Sequence, residues 1–225
     1  MTTSRLLRYV PALMLASLAI ALFYSSRAPA AATLPDPKVD ATMAAAHGQQ
    51  VIVLAGGCFW GVQAVYLHVK GVTRAVAGYA GGTAETANYE LVSSHGTGHA
   101  ESVQVTFDPS KITVGQLLKV YFSVAHDPTE LNRQGPDSGP QYRSSIFFST
   151  PEQERVAKAY IAQLDAAKAF RSPIVTEVVP LKGFYAAEGY HQNYLAGHMD
   201  QPYIVINDLP KLANLKAQFP AWYKD

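Results

Sequence analysis

The chain of 225 residues contains a single cysteine, Cys58. Domains that use cysteines structurally carry them in pairs, so this count excludes a disulfide framework and a zinc site made of cysteine pairs. The His-Glu-x-x-His motif, the phosphate-binding P-loop motif and the glycine fingerprint of dinucleotide-binding domains are absent as well. These absences argue against a catalytic metal and against a nucleotide cofactor.

Charge is sparse and nearly balanced. Charged residues make up 16% of the chain, and 18 Lys and Arg stand against 17 Asp and Glu. A net charge of +1 gives no attraction to nucleic acid or to an acidic membrane surface. The 48% of hydrophobic residues predict one globular domain with a sizeable core.

The N-terminus differs in kind from the rest of the chain. Arg5 and Arg8 precede an apolar run over residues 9–24, and Ala28-Pro29-Ala30 follows it. A basic start, a short apolar core and an Ala-x-Ala exit predict a secretory signal peptide over residues 1–30. We therefore expect an exported protein of the bacterial periplasm. The alternative is an uncleaved segment that tethers the protein to the inner membrane.

The remaining sequence predicts an arm and one folded domain. Residues 31–48 are rich in Ala, Pro and Asp and show no periodicity, which predicts a linker or disordered arm. Residues 49–225 carry strand and helix patterns, with helices over 113–124 and 187–196 and a long polar loop over 126–143. Their order predicts an α+β fold, a two-layer sandwich with a split βαβ (ferredoxin-like) core and a mixed sheet covered by helices.

Cys58 follows an apolar run and two glycines and precedes a helical pattern. This order predicts that its sulfur lies at the first turn of a helix, where exposed backbone N–H groups and the helix dipole favour an anion. We expect the thiolate to form more readily there than in a free cysteine. Phe59 and Trp60 add two rings beside the thiol. The alternative is a buried, inert cysteine.

Four acidic or phenolic side chains near glycine-rich turns are candidate partners of this thiol: Tyr89, Glu101, Asp137 and Tyr142. Glu101 opens an alternating strand, where burial would raise its pKa and leave it protonated as a proton donor. Each has a structural alternative. Glu101 and Asp137 would be solvated carboxylates, and the two tyrosines would be ordinary packing residues.

Seven motifs occur in an order that resembles the A-type peptide methionine sulfoxide reductases. They are Gly-Gly-Cys-Phe-Trp at 56–60, Gly-Tyr-Ala-Gly-Gly at 78–82, Asn-Tyr at 88–89, Gly-His-Ala-Glu at 98–101, His-Asp-Pro at 126–128, Gln-Tyr-Arg-Ser at 141–144 and His-Gln-Asn-Tyr-Leu at 191–195. The resemblance spans about residues 50 to 200, which is most of the predicted domain.

The resemblance implies a role for each candidate. Cys58 would attack the sulfur of a methionine S-sulfoxide, free or in an oxidised protein, and would be left as a sulfenic acid. Glu101 would protonate the sulfoxide oxygen, and Tyr89 and Tyr142 would hydrogen-bond it. No metal and no organic cofactor is implied.

The resemblance also implies a pocket and a partner. Phe59 and Trp60 would hold the substrate methyl group, and Asp137 would organise the pocket. Many members carry further cysteines that capture the sulfenic acid, and this chain has none. We therefore expect an external reductant: a thioredoxin-like protein, a glutaredoxin-like protein or a small thiol. The protein is expected to be a monomer that repairs exported proteins.

Two other functions remain open at this point. A cysteine hydrolase would use His126 or His191 as the base for Cys58. An exported ligand-binding module would leave Cys58 buried and unreactive.

Overall fold

The computed structural model describes residues 33–44 and 48–225. The predicted signal peptide over residues 1–30 lies outside the described residues. Within the described part of the chain, no helix is long and apolar enough to cross a membrane.

The strands and helices alternate along most of the domain. The strands are β1 (Gln50–Ala55), β2 (Val72–Ala80), β3 (Ala100–Phe107), β4 (Arg133–Gln134), β5 (Asp137–Ser138), β6 (Ser145–Phe148), β7 (Glu177–Pro180) and β8 (Phe184–Ala186). The helices are α1 (Phe59–Leu67), α2 (Tyr89–Ser93), α3 (Val114–Val120), α4 (Pro151–Ala166), α5 (Tyr194–Gly197) and α6 (Leu209–Gln218). Two π-helical turns, Tyr121–Ala125 and Ile204–Asp208, extend α3 and precede α6.

Six strands form one mixed sheet in the order β7-β6-β1-β3-β2-β8. The pair β6–β7 is parallel and the other neighbours are antiparallel. The predicted α+β class, with a mixed sheet covered by helices, is confirmed. In the register of β1 and β3, Leu54 lies opposite Val103. The end of β1 therefore lies beside the start of β3, which brings Cys58 and Glu101 into the same region.

Helix α1 is buried on nearly all sides. Seven of its nine residues are buried. One face packs on the sheet, and the other is covered by the C-terminal part of the chain, where Leu195 and Ile204 pack around Ala64. A helix that is apolar all round is typical of the interior of a protein. The first turn of α1 is thus enclosed by residues from both ends of the domain.

Two predicted segments differ from the structure. The loop predicted over residues 126–143 contains the β4–β5 hairpin and a 3₁₀ turn, Pro140–Tyr142. The helix predicted over residues 187–196 is a 3₁₀ turn, Gly189–His191, followed by the short α5. Asn193 separates these two turns because its φ of 54° is left-handed and interrupts a right-handed helix.

Residues 33–44 form no helix or strand, but they lie against α3 and α4. The carboxylate of Asp40 accepts hydrogen bonds from the Thr113 hydroxyl and from the Gly115 backbone N–H, the latter at 2.7 Å. The Tyr160 hydroxyl of α4 donates to the Pro35 carbonyl at 2.8 Å. A carboxylate at the first turn of a helix satisfies free N–H groups and complements the helix dipole. Asp40 thus attaches the arm to the N-terminus of α3.

Replacing Asp40 by alanine should lower the free energy of unfolding by about 1–2 kcal/mol, since the first turn of α3 loses a capping acceptor. Urea unfolding followed by circular dichroism measures this change. Asp36→Ala is the control, because Asp36 pairs with Lys119 through a side chain that is 83% exposed. Its loss should stay below about 1 kcal/mol. Equal losses in the two variants would contradict the capping role of Asp40.

Candidate active site

Cys58 is the residue directly before α1, and only 8% of it is exposed. The two glycines before it fit between side chains of other segments. A Cβ at Gly56 would lie 2.8 Å from the His126 ring, and one at Gly57 would lie 2.5 Å from the Gln134 side chain. Gly57 also has a φ of 84°, in the left-handed region that favours glycine. The turn that presents the thiol therefore requires both glycines.

The thiol is held in its neutral form. Burial raises the pKa of Cys58 well above its usual value, and the carboxyl groups of Glu101 and Asp208 raise it further. A hydrogen bond from the Trp60 backbone N–H and the charge of Lys211 act in the opposite direction. The prediction that the thiolate forms readily is wrong for the resting protein, because the cost of burying an anion exceeds the effect of the helix terminus.

Glu101 lies beside this thiol with 3% of its surface exposed. Its Oε2 accepts a hydrogen bond from the Phe59 backbone N–H at 3.1 Å. Burial raises the pKa of Glu101 to about 8, against the effect of the Phe59 hydrogen bond and with a further increase from Asp137. The carboxyl group is therefore protonated at neutral pH, as the sequence predicts, and the alternative of a solvated carboxylate is wrong.

The β4–β5 hairpin and the turn after it bring Asp137 and Tyr142 to the site. Asp137 is half-buried and accepts a hydrogen bond from the Tyr203 hydroxyl. Burial raises the pKa of the half-buried Tyr142, and the charges of Glu101, Asp137 and Cys58 raise it further. These groups thus lie close enough together to influence one another, and Tyr142 remains a hydrogen-bond donor.

Tyr89 is the first residue of α2 and is fixed through its backbone. Its N–H donates to Glu188 Oε1 at 2.9 Å, and its ring centroid lies 4.6 Å from that of His191. Glu188 also accepts a hydrogen bond from the Tyr79 hydroxyl at 2.9 Å. Tyr89 contributes to the raised pKa of Tyr142. The two predicted oxygen-binding phenols therefore belong to one neighbourhood.

Phe59 and Trp60 form an aromatic wall. Phe59 is buried, and its ring centroid lies 5.1 Å from that of His191. Trp60 is half-buried and stacks on Tyr194 at 3.8 Å with an interplanar angle of 11°. Its edge contact with Tyr203 spans 6.0 Å, and its Nε1–H donates to His191 Nδ1 at 3.2 Å. Contacts on both sides of the indole hold Trp60 in one orientation.

Neither histidine proposed as a hydrolase base forms a hydrogen bond with Cys58 in the part of the chain that the structure describes. His126 Nδ1 donates to the Tyr121 carbonyl at 3.2 Å, and Nε2 accepts from the Ser144 hydroxyl at 2.7 Å. Burial lowers the pKa of His126 to about 3. His191 uses Nδ1 to accept from Trp60, and burial lowers its pKa as well. In the described chain, the hydrogen-bond partners of these rings do not include the thiol.

Sequence reasoning missed four residues around the site: Glu188, Tyr203, Asp208 and Lys211. The one available signal was Asp-Leu-Pro-Lys at 208–211, which reads as an ordinary helix start with an acidic cap and an early proline. Their positions depend on how the C-terminal segment folds back over α1, which no local pattern describes.

A buried thiol lies beside a carboxylic acid and aromatic rings, an arrangement that suits an enzyme with nucleophilic or redox chemistry at a cysteine. The peptide methionine sulfoxide reductase family model matches residues 50–222. Peptide methionine sulfoxide reductase MsrA 2 of Mesorhizobium japonicum is 59% identical over 181 residues, covering 80% of this chain and 93% of that protein. MsrA 2 of Synechocystis is 48% identical over 204 residues, covering 90% and 95%.

Solved structures agree with this match. Methionine sulfoxide reductase A of Corynebacterium diphtheriae has a TM-score of 0.60 at 34% identity, over 74% of this chain and 84% of that one. Reduced Mxr1 of Saccharomyces cerevisiae has a TM-score of 0.61 at 32% identity, over 72% and 92%. The chain belongs to the peptide methionine sulfoxide reductase family and, within it, to the A-type oxidoreductases.

The raised pKa of Glu101 makes folding stability depend on pH. Between about pH 4.5 and pH 8 the carboxyl group is protonated in the folded protein and ionised in the unfolded chain. The stability that this group contributes is therefore complete below about pH 4.5 and is lost as the pH rises through about 8. Glu101→Gln has no ionisable group at this position and should lack this loss.

Chemical unfolding at pH 5 and pH 8.5 tests this expectation. The wild-type protein should lose about 4 kcal/mol more than the Glu101→Gln variant between the two conditions. Parallel pH profiles for the two proteins would show that Glu101 ionises normally.

Proposed function

We propose that the protein reduces the S epimer of methionine sulfoxide, free or within proteins, to methionine. The observation that carries this proposal is the carboxyl group of Glu101, held in its acid form beside Cys58 at the first turn of α1. A sulfoxide combines a polar S–O bond with an apolar methyl group. Its pocket therefore needs hydrogen-bond donors together with aromatic walls, and the site has both.

In the proposed reaction, the sulfur of Cys58 attacks the sulfoxide sulfur while Glu101 gives its proton to the sulfoxide oxygen. Tyr89 and Tyr142 donate hydrogen bonds to that oxygen. The oxygen then moves from the methionine sulfur to the sulfur of Cys58: the S–O bond of the sulfoxide and the new S–S bond break, and a bond between Cys58 sulfur and the oxygen forms. Methionine leaves as the reduced thioether, and Cys58 is left as a sulfenic acid. The proton of the thiol restores Glu101, so thiol and sulfoxide become sulfenic acid and thioether without a further reactant.

The two aromatic side chains of the wall select the substrate. Phe59 and Trp60 surround the methyl group, and Asp137, through Tyr203, fixes the far side of the pocket. Attack by sulfur creates negative charge on the oxygen, which a neutral acid relieves by proton transfer. A carboxylate at Glu101 would oppose the same step by repulsion. The acid form of Glu101 is therefore the feature on which the rate depends.

A thiol from outside the chain completes the cycle, because Cys58 is the single cysteine. This thiol forms a disulfide with Cys58 and the sulfenic oxygen leaves as water. A second external thiol then forms a disulfide with the first, and the bond to Cys58 breaks, which releases Cys58 as a thiol. The reductant is a thioredoxin-like protein, a glutaredoxin-like protein or a small thiol.

We also propose the cellular setting from the N-terminal sequence. Residues 1–30 direct export to the periplasm, residues 31–48 link that segment to the catalytic domain of residues 49–225, and the monomeric enzyme repairs oxidised exported proteins. The alternative is a tether to the inner membrane by an uncleaved N-terminus. The apolar run after Arg5 and Arg8 supports both a cleaved export signal and an uncleaved membrane tether.

We further infer that the four central strands form the split βαβ core. The order β6-β1-β3-β2, with β3 between β1 and β2 and antiparallel neighbours, supports this description.

Separate S and R epimers of methionine sulfoxide test the reaction and its stereochemistry. With dithiothreitol, the wild-type protein should reduce the S epimer and leave the R epimer unchanged, and Cys58→Ser should reduce neither. Without a reductant, one methionine should form per enzyme, and Cys58 should become reactive toward dimedone. Reduction of the R epimer, or turnover beyond one equivalent without a thiol, would contradict the proposal.

Single-turnover kinetics test the proton donor. In Glu101→Gln the rate of methionine formation should fall by about 10²–10⁴-fold, because the amide cannot give a proton. The affinity for the sulfoxide should change far less, since the amide has a similar size and can still hydrogen-bond. An unchanged single-turnover rate would remove Glu101 from the mechanism.

A further inference from the structure

The C-terminal segment places a buried ion pair against α1. Asp208 is fully buried at the end of the π-helical turn, and its Oδ1 accepts a hydrogen bond from Lys211 Nζ at 3.0 Å. The Lys211 side chain is 16% exposed. Asp208 Oδ2 finds no hydrogen-bond partner among the residues that the structure describes. Both charges are thus largely removed from water.

The pair meets α1 at Gly61. A Cβ at this position would overlap Asp208 Oδ1 and would lie 2.8 Å from Lys211 Nζ. Gly61 lies in the first turn of α1, three residues after Cys58, which immediately precedes the helix. Glycine therefore allows the two charged groups to approach the part of the helix that carries the thiol.

Stability alone is a weak explanation for these charges. Burying an ion costs several kcal/mol, and a buried ion pair is often no more stabilising than apolar side chains of the same size. The free oxygen of Asp208 adds the cost of an unsatisfied acceptor. Charged groups that persist under these conditions beside a reactive side chain are typical of functional sites.

The groups that interact electrostatically with Cys58 come from three parts of the fold. Glu101 lies on β3, and Tyr142 follows the β4–β5 hairpin. Tyr203, Asp208 and Lys211 belong to the C-terminal segment. Of the charged groups that affect the pKa of the thiol, Lys211 carries the positive charge. Asp208 opposes ionisation of the thiol and Lys211 favours it.

We infer that Asp208 and Lys211 are positioning residues that set the charge balance at Cys58. Lys211 stabilises the Cys58 thiolate whenever it forms, and Asp208 holds Lys211 against α1 and weakens its effect in the resting enzyme. The consequence for catalysis rests on the proposed function. When a second external thiol forms a disulfide with the first, the bond from Cys58 to sulfur breaks and its electron pair stays on Cys58, beside Lys211.

Alkylation of Cys58 by iodoacetamide near pH 8 tests the electrostatic role without any sulfoxide. Below the pKa of a thiol, the alkylation rate is proportional to the small thiolate fraction. Asp208→Asn removes a negative charge without changing the shape of the side chain and should raise the rate about tenfold. A tenfold increase corresponds to a pKa of Cys58 that is lower by about one. Lys211→Met should lower the rate by a similar factor, and Lys211→Arg should restore it.

We expect the alkylation rate to change in opposite directions in Asp208→Asn and Lys211→Met. If the pair had only a structural role, loss of either residue would expose Cys58 and accelerate alkylation in both variants. Rates that change in the same direction, or that do not change, would overturn the inference. Lys216→Met is the matched control, since this lysine lies on the same helix with a side chain that is 66% exposed, and its rate should equal that of the wild type.

Circular dichroism establishes that each variant is folded. If Lys211→Met does not fold, Asp208→Asn still tests the inference, because a slower or unchanged alkylation rate in that variant contradicts it. The sulfoxide assay is run separately on the wild-type protein. A wild-type protein that fails to reduce the sulfoxide would overturn the proposed function, and the alkylation rates would still decide the role of the pair.

Discussion

The hydrogen bond from the Phe59 backbone N–H to the carboxyl group of Glu101 connects the two elements that form the site. Phe59 opens α1, and Glu101 stands at the start of β3. The antiparallel register of β1 and β3 brings these positions together, and the buried surroundings then decide the protonation of the acid. The aromatic wall, the thiol and the protonated carboxyl group all depend on this junction.

The site favours neutral groups. Burial raises the pKa values of Cys58, Glu101, Tyr142 and Tyr203, and it lowers those of His126 and His191. Such an environment disfavours a resting thiolate and therefore slows ordinary oxidation of the thiol. It also keeps the carboxyl and phenol groups protonated, so that they can donate hydrogen bonds. A reductase that attacks a protonated sulfoxide uses both properties. A cysteine hydrolase would need a base at the thiol.

Local patterns explain which parts of the site could be predicted. The apolar run, two glycines and helical pattern around Cys58 place the thiol at the start of α1, and the alternation after Glu101 places that residue on a buried strand. Both are properties of neighbours in sequence. The pKa of Cys58 could not be predicted in the same way, because Asp208 and the surface that covers α1 come from the other end of the chain.

The same limit applies to the fold. The α+β class follows from the order of strand and helix patterns, whereas the break at Asn193 depends on one left-handed residue inside an otherwise helical pattern. The β4–β5 hairpin consists of four strand residues in a polar stretch, too few to produce a periodic signal. Asp137 owes its place in the site to this hairpin and to its hydrogen bond with Tyr203.

The proton that Glu101 carries in the resting enzyme at neutral pH is the property to measure. Infrared difference spectroscopy across a pH titration observes the carbonyl band of a protonated carboxyl group directly, with Glu101→Gln to assign it. We expect a band at pH 7 that disappears as the pH rises through about 8 and is missing from the variant. A spectrum at pH 7 that shows only carboxylate, identical in the wild type and in Glu101→Gln, would contradict it.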